Sequence, residues 1–552
     1  MRLWEFDRDS PLLRLLSQLP QTTQAGEIGG NHISSMTNDQ FLLRSSILSS
    51  WMKDFFSSAS HLHTARFAHR HELTGLFSDT LDEPSLLLAE GPFHHVLRVN
   101  PTEQRQELGN VLAVAPTRGG KGLLADSQLL TWPHSVIVND IKGELYTATA
   151  GYRATLGRVY VLDPDGVGHR YDPLVGKTNE KDLITIATNL LYKANEDDPI
   201  FTQRAITMLT QLFLAARIEG HSPLPYVRKI VRLGLLKAAM HVHTVSPDLA
   251  TQFLDVEFSH ADFTDKFLLS CWGTLAAPMR LLLTDTTVRC FAGWDFTARD
   301  IITSPTPVTV YLRWPERDLL AFSPLVRLIW KSLIDEMMDT YDRLGGVDCH
   351  PVLLLVDEAG RTAIPSLSEH ATTVNGRGIS LMIAIQSLSQ LDALYGKYKA
   401  DTLRNNMDSQ IFYRQASQET ADYLQRCLGN RSGFAHSTTE HGREQTSQGQ
   451  VEQAVALMTA QAVKQLGDTD IIAFHRNLPP FRAHRMDWRR FPLLVKRQRI
   501  PSPQLPLLPS LAEGLSETAS ASPEPRSSWR HDPALLRWGS HLSAIYGGDD
   551  RA

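Results

Sequence analysis

The chain has 552 residues, of which 42% are hydrophobic and 21% are charged, and this length is enough for about three or four structural units with buried cores. The composition excludes fibrous, wholly disordered and disulfide-scaffold classes. The formal net charge of −5 excludes nucleic-acid binding through a bulk basic charge, so such a partner would need a local basic surface or a pore.

The N-terminal region, residues 1–64, is predicted to be helical. Residues 41–56 have apolar side chains at helical spacing, which indicates a helix packed on its own core, on a membrane surface or on a partner. No stretch of the chain approaches 18 uncharged apolar residues, and the acidic start is unlike a signal peptide. The four cysteines form no C-x-x-C pair, which is typical of a reducing compartment. We therefore predict a cytoplasmic protein without a transmembrane helix.

From about residue 108, short apolar runs alternate with helical stretches. These runs are typical of strands buried on both faces, and they lie at residues 111–115, 135–138, 159–162, 308–312, 352–356, 381–385, 410–413 and 470–474. Strands that alternate with helices predict a doubly wound, mostly parallel α/β sheet. The strand signal disappears between residues 182 and 300, so we predict an all-α domain inserted into the α/β domain.

The first apolar run leads into APTRGGKG, residues 115–122. The order of strand, glycine-bearing loop, lysine and helix is that of a P-loop, where backbone N–H groups at a helix N-terminus bind phosphate. Lys121 would then reach the β- and γ-phosphates. Ala115 and Gly122 depart from the consensus G-x-x-x-x-G-K-[ST], so this motif alone leaves a glycine-rich turn with a solvated lysine as an equal alternative. The predicted nucleotide-binding residues are Thr117, Arg118, Gly119, Gly120, Lys121, Gly122 and Leu123.

A second motif, VLLLVDE at residues 352–358, is an apolar strand that ends in two acids. At the carboxyl end of a strand beside the P-loop strand, Asp357 can hold Mg²⁺ through water. Glu358 can orient and deprotonate the attacking water. Together with the P-loop, this pair predicts nucleotide hydrolysis.

Three further features belong to the predicted catalytic region. Gln386 follows the next strand and either senses a γ-phosphate or caps the strand end. Arg377 lies in a loop and is either an arginine finger for a neighbour's ATP or a surface arginine. The segment at residues 140–144, DIKGE, brings three charges to the same sheet edge, with structural salt bridges as the alternative role.

Several stretches together resemble type IV secretion coupling proteins, the conjugative DNA-transfer ATPases of the TraG/TraD type. The resemblance runs from about residue 65 to 495, and it includes Gly122 after the P-loop lysine, so the missing hydroxyl need not mean an inactive site. The matching stretches are ARFAHRHEL at 65–73, APTRGGKG, residues 129–164 (LLTWPHSVIVNDIKGELYTATAGYRATLGRVYVLDP), HRYDPL, VDEAG at 356–360, GISLMIAIQSLSQL at 378–391 and DIIAFHRNLPPFRAHRMDW at 470–488.

The resemblance implies a RecA-like P-loop ATPase that uses ATP and Mg²⁺. It implies a homo-hexameric ring when assembled, with a monomer as the alternative in isolation. The implied partners are a relaxase, single-stranded DNA and components of the secretion channel. Family members usually begin with transmembrane helices, and because none is predicted here, we expect a membrane protein to recruit the chain to the cytoplasmic face of the inner membrane.

These patterns predict five segments and one leading function. The function is ATP-driven delivery of relaxase-bound single-stranded DNA, or of protein effectors, to a type IV secretion channel, with DNA-stimulated hydrolysis. An ATP-switched substrate receptor without sustained pumping and a soluble DNA pump of the FtsK/HerA type remain as alternatives. The segments are the N-terminal helical region (1–64), the nucleotide-binding domain in two parts (65–181 and 301–495), the all-α insertion (182–300) and a disordered Pro/Ser-rich tail (496–552).

Overall fold

The structure is a computed structural model that describes residues 63–510 except 79, 82, 92–94, 102–106, 178, 192–198, 363 and 442–444. The chain divides into two units, one of residues 65–433 with 454–552 and one of residues 1–64 with 434–453. The predicted N-terminal helix at residues 41–56 lies outside the described residues. Within the described part of the chain, every helix is too short or too polar to cross a membrane.

The described strands are mostly short. They are β1 (Phe77–Ser78), β2 (Leu86–Glu90), β3 (Val96–Val99), β4 (Val111–Val114), β5 (Ser135–Asn139), β6 (Arg158–Asp163), β7 (Val167–Gly168), β8 (Val308–Leu312), β9 (Val352–Val356), β10 (Ile379–Ile385), β11 (Ser409–Phe412), β12 (Asn430–His441), β13 (Gln445–Ala456), β14 (Asp470–His475) and β15 (Phe481–His484). Strands β12 and β13 form a separate two-stranded sheet.

The described α-helices fall between and after these strands. They are α1 (Lys121–Leu129), α2 (Glu144–Leu156), α3 (Glu180–Leu191), α4 (Ile200–Ile218), α5 (Pro223–Val231), α6 (Leu235–Val245), α7 (Pro247–Leu254), α8 (Lys266–Leu282), α9 (Ala298–Thr303), α10 (Glu316–Leu319), α11 (Ser323–Leu344), α12 (Leu367–Thr373), α13 (Leu388–Tyr395), α14 (Lys397–Asn405), α15 (Gln418–Leu428), α16 (Ala460–Lys464) and α17 (Pro492–Gln498). Between β7 and β8, the stretch for which an all-α insertion is predicted, the described residues contain helices and no strand.

Thirteen strands form one mixed sheet in the order β1-β3-β2-β15-β14-β11-β4-β10-β9-β5-β8-β6-β7. The seven neighbours from β11 to β6 are parallel, as predicted for an α/β sheet. Strand β14 pairs antiparallel with β11, and β15 pairs antiparallel with β14. The carboxyl ends of β4, β10, β9, β5 and β8 therefore meet at one edge of the sheet.

The central strands are apolar throughout because both faces of the sheet are covered. Every residue of β4, β5, β8, β9 and β10 is buried. Alternate residues along one strand face opposite sides, so Leu354 and Val356 join one hydrophobic core while Leu353 and Leu355 join the other. Burial on both faces fixes where each strand ends, and thereby positions the polar residues that follow.

The tail differs from the prediction of disorder from residue 496. Helix α17 is followed by an extended segment that lies against the sheet domain up to residue 510. The Ser502 hydroxyl donates to the carbonyl of Tyr146 (3.1 Å). In edge strand β7, the N–H of Gly168 donates to the carbonyl of Pro506 (2.8 Å). The side chain of Leu508 is buried. These residues cover an otherwise open sheet edge, which average composition does not reveal. Disorder of the rest of the tail stays a prediction. Residues 511–552 lie outside the described part.

Candidate functional site

The predicted P-loop connects β4 to α1. Gly120 has a φ of +107° and immediately precedes Lys121, the first residue of α1. Arg118 also lies in the left-handed region, with a φ of +64°, which a side chain adopts only at an energetic cost. The first-turn N–H groups and the dipole of α1 favour an anion at this end of the helix. The predicted P-loop therefore leads, through a left-handed glycine, directly into a helix N-terminus.

A buried ion pair joins the P-loop to the second motif. Lys121 Nζ lies 2.7 Å from Glu358 Oε1, and the two side chains are only 10% and 4% exposed. Lys142 Nζ, from the loop after β5, lies 3.5 Å from the same oxygen and is 45% exposed. Strands β4 and β9 are separated in the sheet by β10 alone, so their carboxyl ends bring these residues together.

Gln386 links the acid to the P-loop. Its Nε2 donates to Glu358 Oε2 (3.0 Å), and its Oε1 accepts a hydrogen bond from the hydroxyl of Thr117 (3.3 Å). The structure thus brings Thr117, Lys121, Glu358 and Gln386 into one network. A movement of Thr117 in the P-loop can therefore alter the hydrogen bond that the Gln386 amide donates to Glu358.

Glu358 is charged although it is buried. Burial by itself raises the pKa of this carboxyl, but the hydrogen bonds from Lys121 and Gln386 and the charge of Lys142 outweigh it and hold the pKa below its ordinary value. Its φ of +52° places a non-glycine residue in the left-handed region. Backbone strain of this kind is often found at functional sites, where the surrounding structure holds the residue in place.

Asp357 has the properties of a magnesium ligand. Its Oδ1 is buried and accepts no hydrogen bond from the described residues, while its backbone carbonyl accepts from Asn139 Nδ2 (2.8 Å). Burial raises the pKa of Asp357 to about 6, although the charge of Lys121 opposes this rise. The described residues contain no cluster of three or more His, Cys, Asp or Glu side chains suited to a metal. A cation here would therefore rely on Asp357, water and substrate oxygens, as Mg²⁺ commonly does.

The charges of residues 140–144 divide between two roles. The Asp140 carboxylate accepts the backbone N–H groups of Leu145 (3.3 Å) and Tyr146 (2.7 Å) at the start of α2. Burial raises the pKa of Asp140, and these hydrogen bonds only partly offset it. Asp140 thus stabilises the helix end, whereas Lys142 turns toward Glu358.

Arg377 lies away from this cluster. Arg377 precedes β10, whereas Gln386 follows it. The two residues therefore lie at opposite ends of this strand, on opposite sides of the sheet as measured along the strand direction. Its Nε and Nη2 each lie 2.8 Å from one carboxylate oxygen of Asp342 in α11. The structure therefore does not bring Arg377 together with the P-loop of its own chain.

Arg485 is a cation at the P-loop that the motif analysis did not single out. It follows β15, and its Nη1 lies 3.4 Å from the carbonyl oxygen of Gly119. In the sequence it appeared only within a longer stretch of family resemblance. Strand β15 has the sequence FRAH, which is not an apolar run, so no local pattern marks it as a strand or shows that it ends beside the P-loop.

The family of the chain is shown by its match to a family model. The model for Type IV secretory system Conjugative DNA transfer matches residues 86–506, which is more than half of the chain. The chain belongs to this family. The predicted resemblance to type IV coupling proteins is confirmed.

Two curated relatives are named Protein VirD4 and Conjugal transfer protein TraG. Protein VirD4 of Rhizobium radiobacter is 26% identical over 410 residues, covering 70% of this chain and 58% of the relative. Conjugal transfer protein TraG of Escherichia coli is 25% identical over 409 residues, covering 64% and 59%. The chain thus spans just under three fifths of the length of the curated relatives it matches.

Solved structures of the coupling protein TrwB share the fold. TrwBΔN70 in a trigonal form with sulphate has a TM-score of 0.56 at 14% identity, covering 82% of this chain and 98% of TrwBΔN70. TrwB with an ATP analogue has a TM-score of 0.54 at 16% identity, covering 81% and 96%. This similarity confirms the predicted RecA-like P-loop fold class.

Proposed function

We propose that the protein is an ATP-hydrolysing coupling protein that recruits relaxase-bound single-stranded DNA, or a protein effector, and delivers it to a type IV secretion channel. The observation that carries the proposal is the buried network of Lys121, Glu358 and Gln386 at the P-loop of a chain in the conjugative DNA-transfer family. Its work would then take place at the cytoplasmic face of the inner membrane, with channel components and a membrane-protein recruiter as further partners.

ATP and Mg²⁺ are the proposed substrate and cofactor. TrwB has been solved in complex with a non-hydrolysable ATP analogue and with ADP and Mg²⁺. In this chain the N-terminus of α1 and Lys121 fit the phosphates, and the unpaired Oδ1 of Asp357 fits a magnesium-bound water. Bound magnesium neutralises charge on the phosphate oxygens.

Glu358 is the proposed general base. Because its pKa lies below the ordinary value, it is ionised at neutral pH and can accept a proton from water. Its Oε1 lies 2.7 Å from Nζ of Lys121, the residue that is also proposed to bind the phosphates. Nucleotide binding would draw Lys121 away and leave Glu358 available to water. Because Gln386 is hydrogen-bonded to both Glu358 and Thr117, its side chain would respond to the movement of either residue on nucleotide binding.

Arg377 is proposed to complete the site of a neighbouring subunit. The seven residues of β10 and its flanking turns separate Arg377 from Gln386 by roughly 25–30 Å at about 3.3 Å per residue. An arginine side chain cannot cover that distance, so this residue can act only on a nucleotide held by another copy. In a ring of identical subunits, the amino ends of the strands in one subunit could face the carboxyl ends in its neighbour. Arg377 of one subunit would then lie beside the P-loop of the next.

A subunit-mixing experiment tests this arrangement. Arg377→Ala and Lys121→Ala should each lose hydrolysis alone, and mixing the two proteins should restore part of it. Mixed oligomers contain interfaces that pair an intact P-loop with an intact Arg377. The readout is the steady-state ATPase rate at protein concentrations where oligomers are present.

Arg343→Ala is the matched control for Arg377. Arg343 lies next to Asp342 at the end of α11, and its guanidinium donates hydrogen bonds within that helix, to the carbonyl of Asp339 and the hydroxyl of Thr340 (both 3.3 Å). We expect this variant to keep wild-type activity. Failure to restore activity in demonstrably mixed oligomers would show that Arg377 serves only to bind Asp342 within its own subunit.

A further inference from the structure

Arg485 reaches the P-loop from the antiparallel side of the sheet. Strand β15 is antiparallel to β14, which is antiparallel to β11, so β15 runs in the same direction as the parallel strands. Arg485 follows β15 directly and therefore lies at the same edge as the P-loop. Lys121 and Glu358 meet on the β10 and β9 side of β4, whereas Arg485 approaches from the β11 side.

The side chain of Arg485 lies over Gly119 and Gly120 of the P-loop. Its Nη1 is 3.4 Å from the carbonyl oxygen of Gly119, and a Cβ added to Gly120 would lie 2.9 Å from its Cδ. The backbone N–H of Arg485 donates to the carbonyl of Thr469 (2.7 Å), and this bond fixes the position of the Arg485 backbone. Glycine at position 120 thus serves both the backbone conformation and the close approach of this cation.

The guanidinium of Arg485 has hydrogen-bonding capacity to spare. A guanidinium has five N–H donors, and buried donors normally find acceptors. The Nε of Arg485 is buried without a hydrogen-bond partner among the described residues, and the Gly119 contact is long. The nearby carboxylate of Asp487 is already held by Arg489 at 2.8 and 2.5 Å.

The surroundings of Arg485 contain other unsatisfied polar atoms. Tyr413 Oη, in a side chain close enough to Arg485 for the two to interact electrostatically, is buried without a hydrogen-bond partner among the described residues. The same is true of Gln415 Oε1, two residues further along the chain. Gln415 is held in place because its Nε2 donates to the carbonyls of Val114 (2.9 Å) and Tyr413 (2.7 Å). A purely structural arginine would be expected to satisfy such neighbours.

We propose that Arg485 is a nucleotide-binding residue of its own subunit, and that its guanidinium leaves the Gly119 carbonyl to bind a phosphate oxygen of the nucleoside triphosphate. This inference rests on the proposed function and adds a second cation to it. The phosphates would then lie between Lys121 and Arg485, which approach from opposite sides of β4. A planar guanidinium suits a phosphate because it can donate two parallel hydrogen bonds.

The test compares Arg485→Met with the wild type for two ligands, a non-hydrolysable ATP analogue and inorganic triphosphate, each with Mg²⁺. Methionine keeps much of the side-chain volume over Gly120 but removes the charge. We expect the affinity for both ligands to fall by about 10- to 100-fold, as is typical when a hydrogen bond to a charged group is lost. Arg485→Lys should recover part of the affinity.

Arg489→Met is the control, because Arg489 lies four residues away and contacts Asp487 rather than the P-loop. It should bind both ligands as the wild type does. Unchanged affinities in Arg485→Met, or a loss for the ATP analogue without a loss for triphosphate, would overturn the inference. A wild type that binds neither ligand would instead refute the proposed function, so the two failures are distinguishable.

Discussion

Replacing Lys121 by alanine should reduce ATP hydrolysis by at least about 100-fold, as is typical when a preorganised group that stabilises transition-state charge is removed. Lys121 begins α1 at the P-loop and carries the cation that we place at the β- and γ-phosphates. The change should also lower stability, because it leaves the buried carboxylate of Glu358 without its nearest partner at 2.7 Å. Hydrolysis is measured as steady-state phosphate release, and stability by thermal unfolding.

Two variants separate the loss of catalysis from the loss of stability. Adding Glu358→Gln to Lys121→Ala removes the unpaired charge, so stability should recover while hydrolysis stays absent. Lys142→Ala removes the second cation near Glu358, which is far more exposed and 3.5 Å away, and should change hydrolysis only a few-fold. Near-normal hydrolysis by folded Lys121→Ala would mean that the phosphate site lies elsewhere.

Glu358→Gln should slow hydrolysis by roughly 100-fold or more while retaining nucleotide binding. The amide cannot accept the proton of the attacking water, which is the role proposed for the Glu358 carboxylate. Because Lys121 loses its ion-pair partner, binding of an ATP analogue should be as tight as in the wild type or tighter. Binding and single-turnover hydrolysis are measured on the same preparation.

Asp357→Asn is the matched comparison, since it is the adjacent acid on the same strand end. Its buried Oδ1 is the proposed contact to magnesium-bound water, so the change should weaken nucleotide binding in the presence of Mg²⁺ and have little effect in its absence. The two variants should therefore fail in different ways. Identical behaviour in binding and in hydrolysis would contradict the division of roles between the acids.

The strands and the main site residues could be predicted from sequence because their signals are local. The parallel strands are buried on both faces, so they read as unbroken apolar runs. Glu358 and Gln386 stand directly after such runs, and Lys121 follows a glycine-bearing loop. The carboxyl ends of parallel strands lie on the same side of a sheet. These three residues are therefore close together as long as their strands are near one another in the sheet.

The remaining features depend on packing between distant parts of the chain. Arg485 reaches the P-loop only because two antiparallel strands extend the sheet beside β11, and no local pattern specifies that order. The bidentate pair between Arg377 and Asp342 likewise joins a turn to a separate helix. The ordered segment up to residue 510 depends on the open edge at β7, which composition does not show.

If this P-loop site drives movement of a DNA-bound cargo, as we propose, single-stranded DNA should stimulate its ATP hydrolysis. Steady-state ATPase rates of the wild type would be measured with and without single-stranded DNA, with the oligomeric state recorded in the same samples. We predict a low rate without DNA and a several-fold higher rate with it, accompanied by larger oligomers and absent in Lys121→Ala. A rate that single-stranded DNA leaves unchanged in assembled oligomers would contradict the motor function.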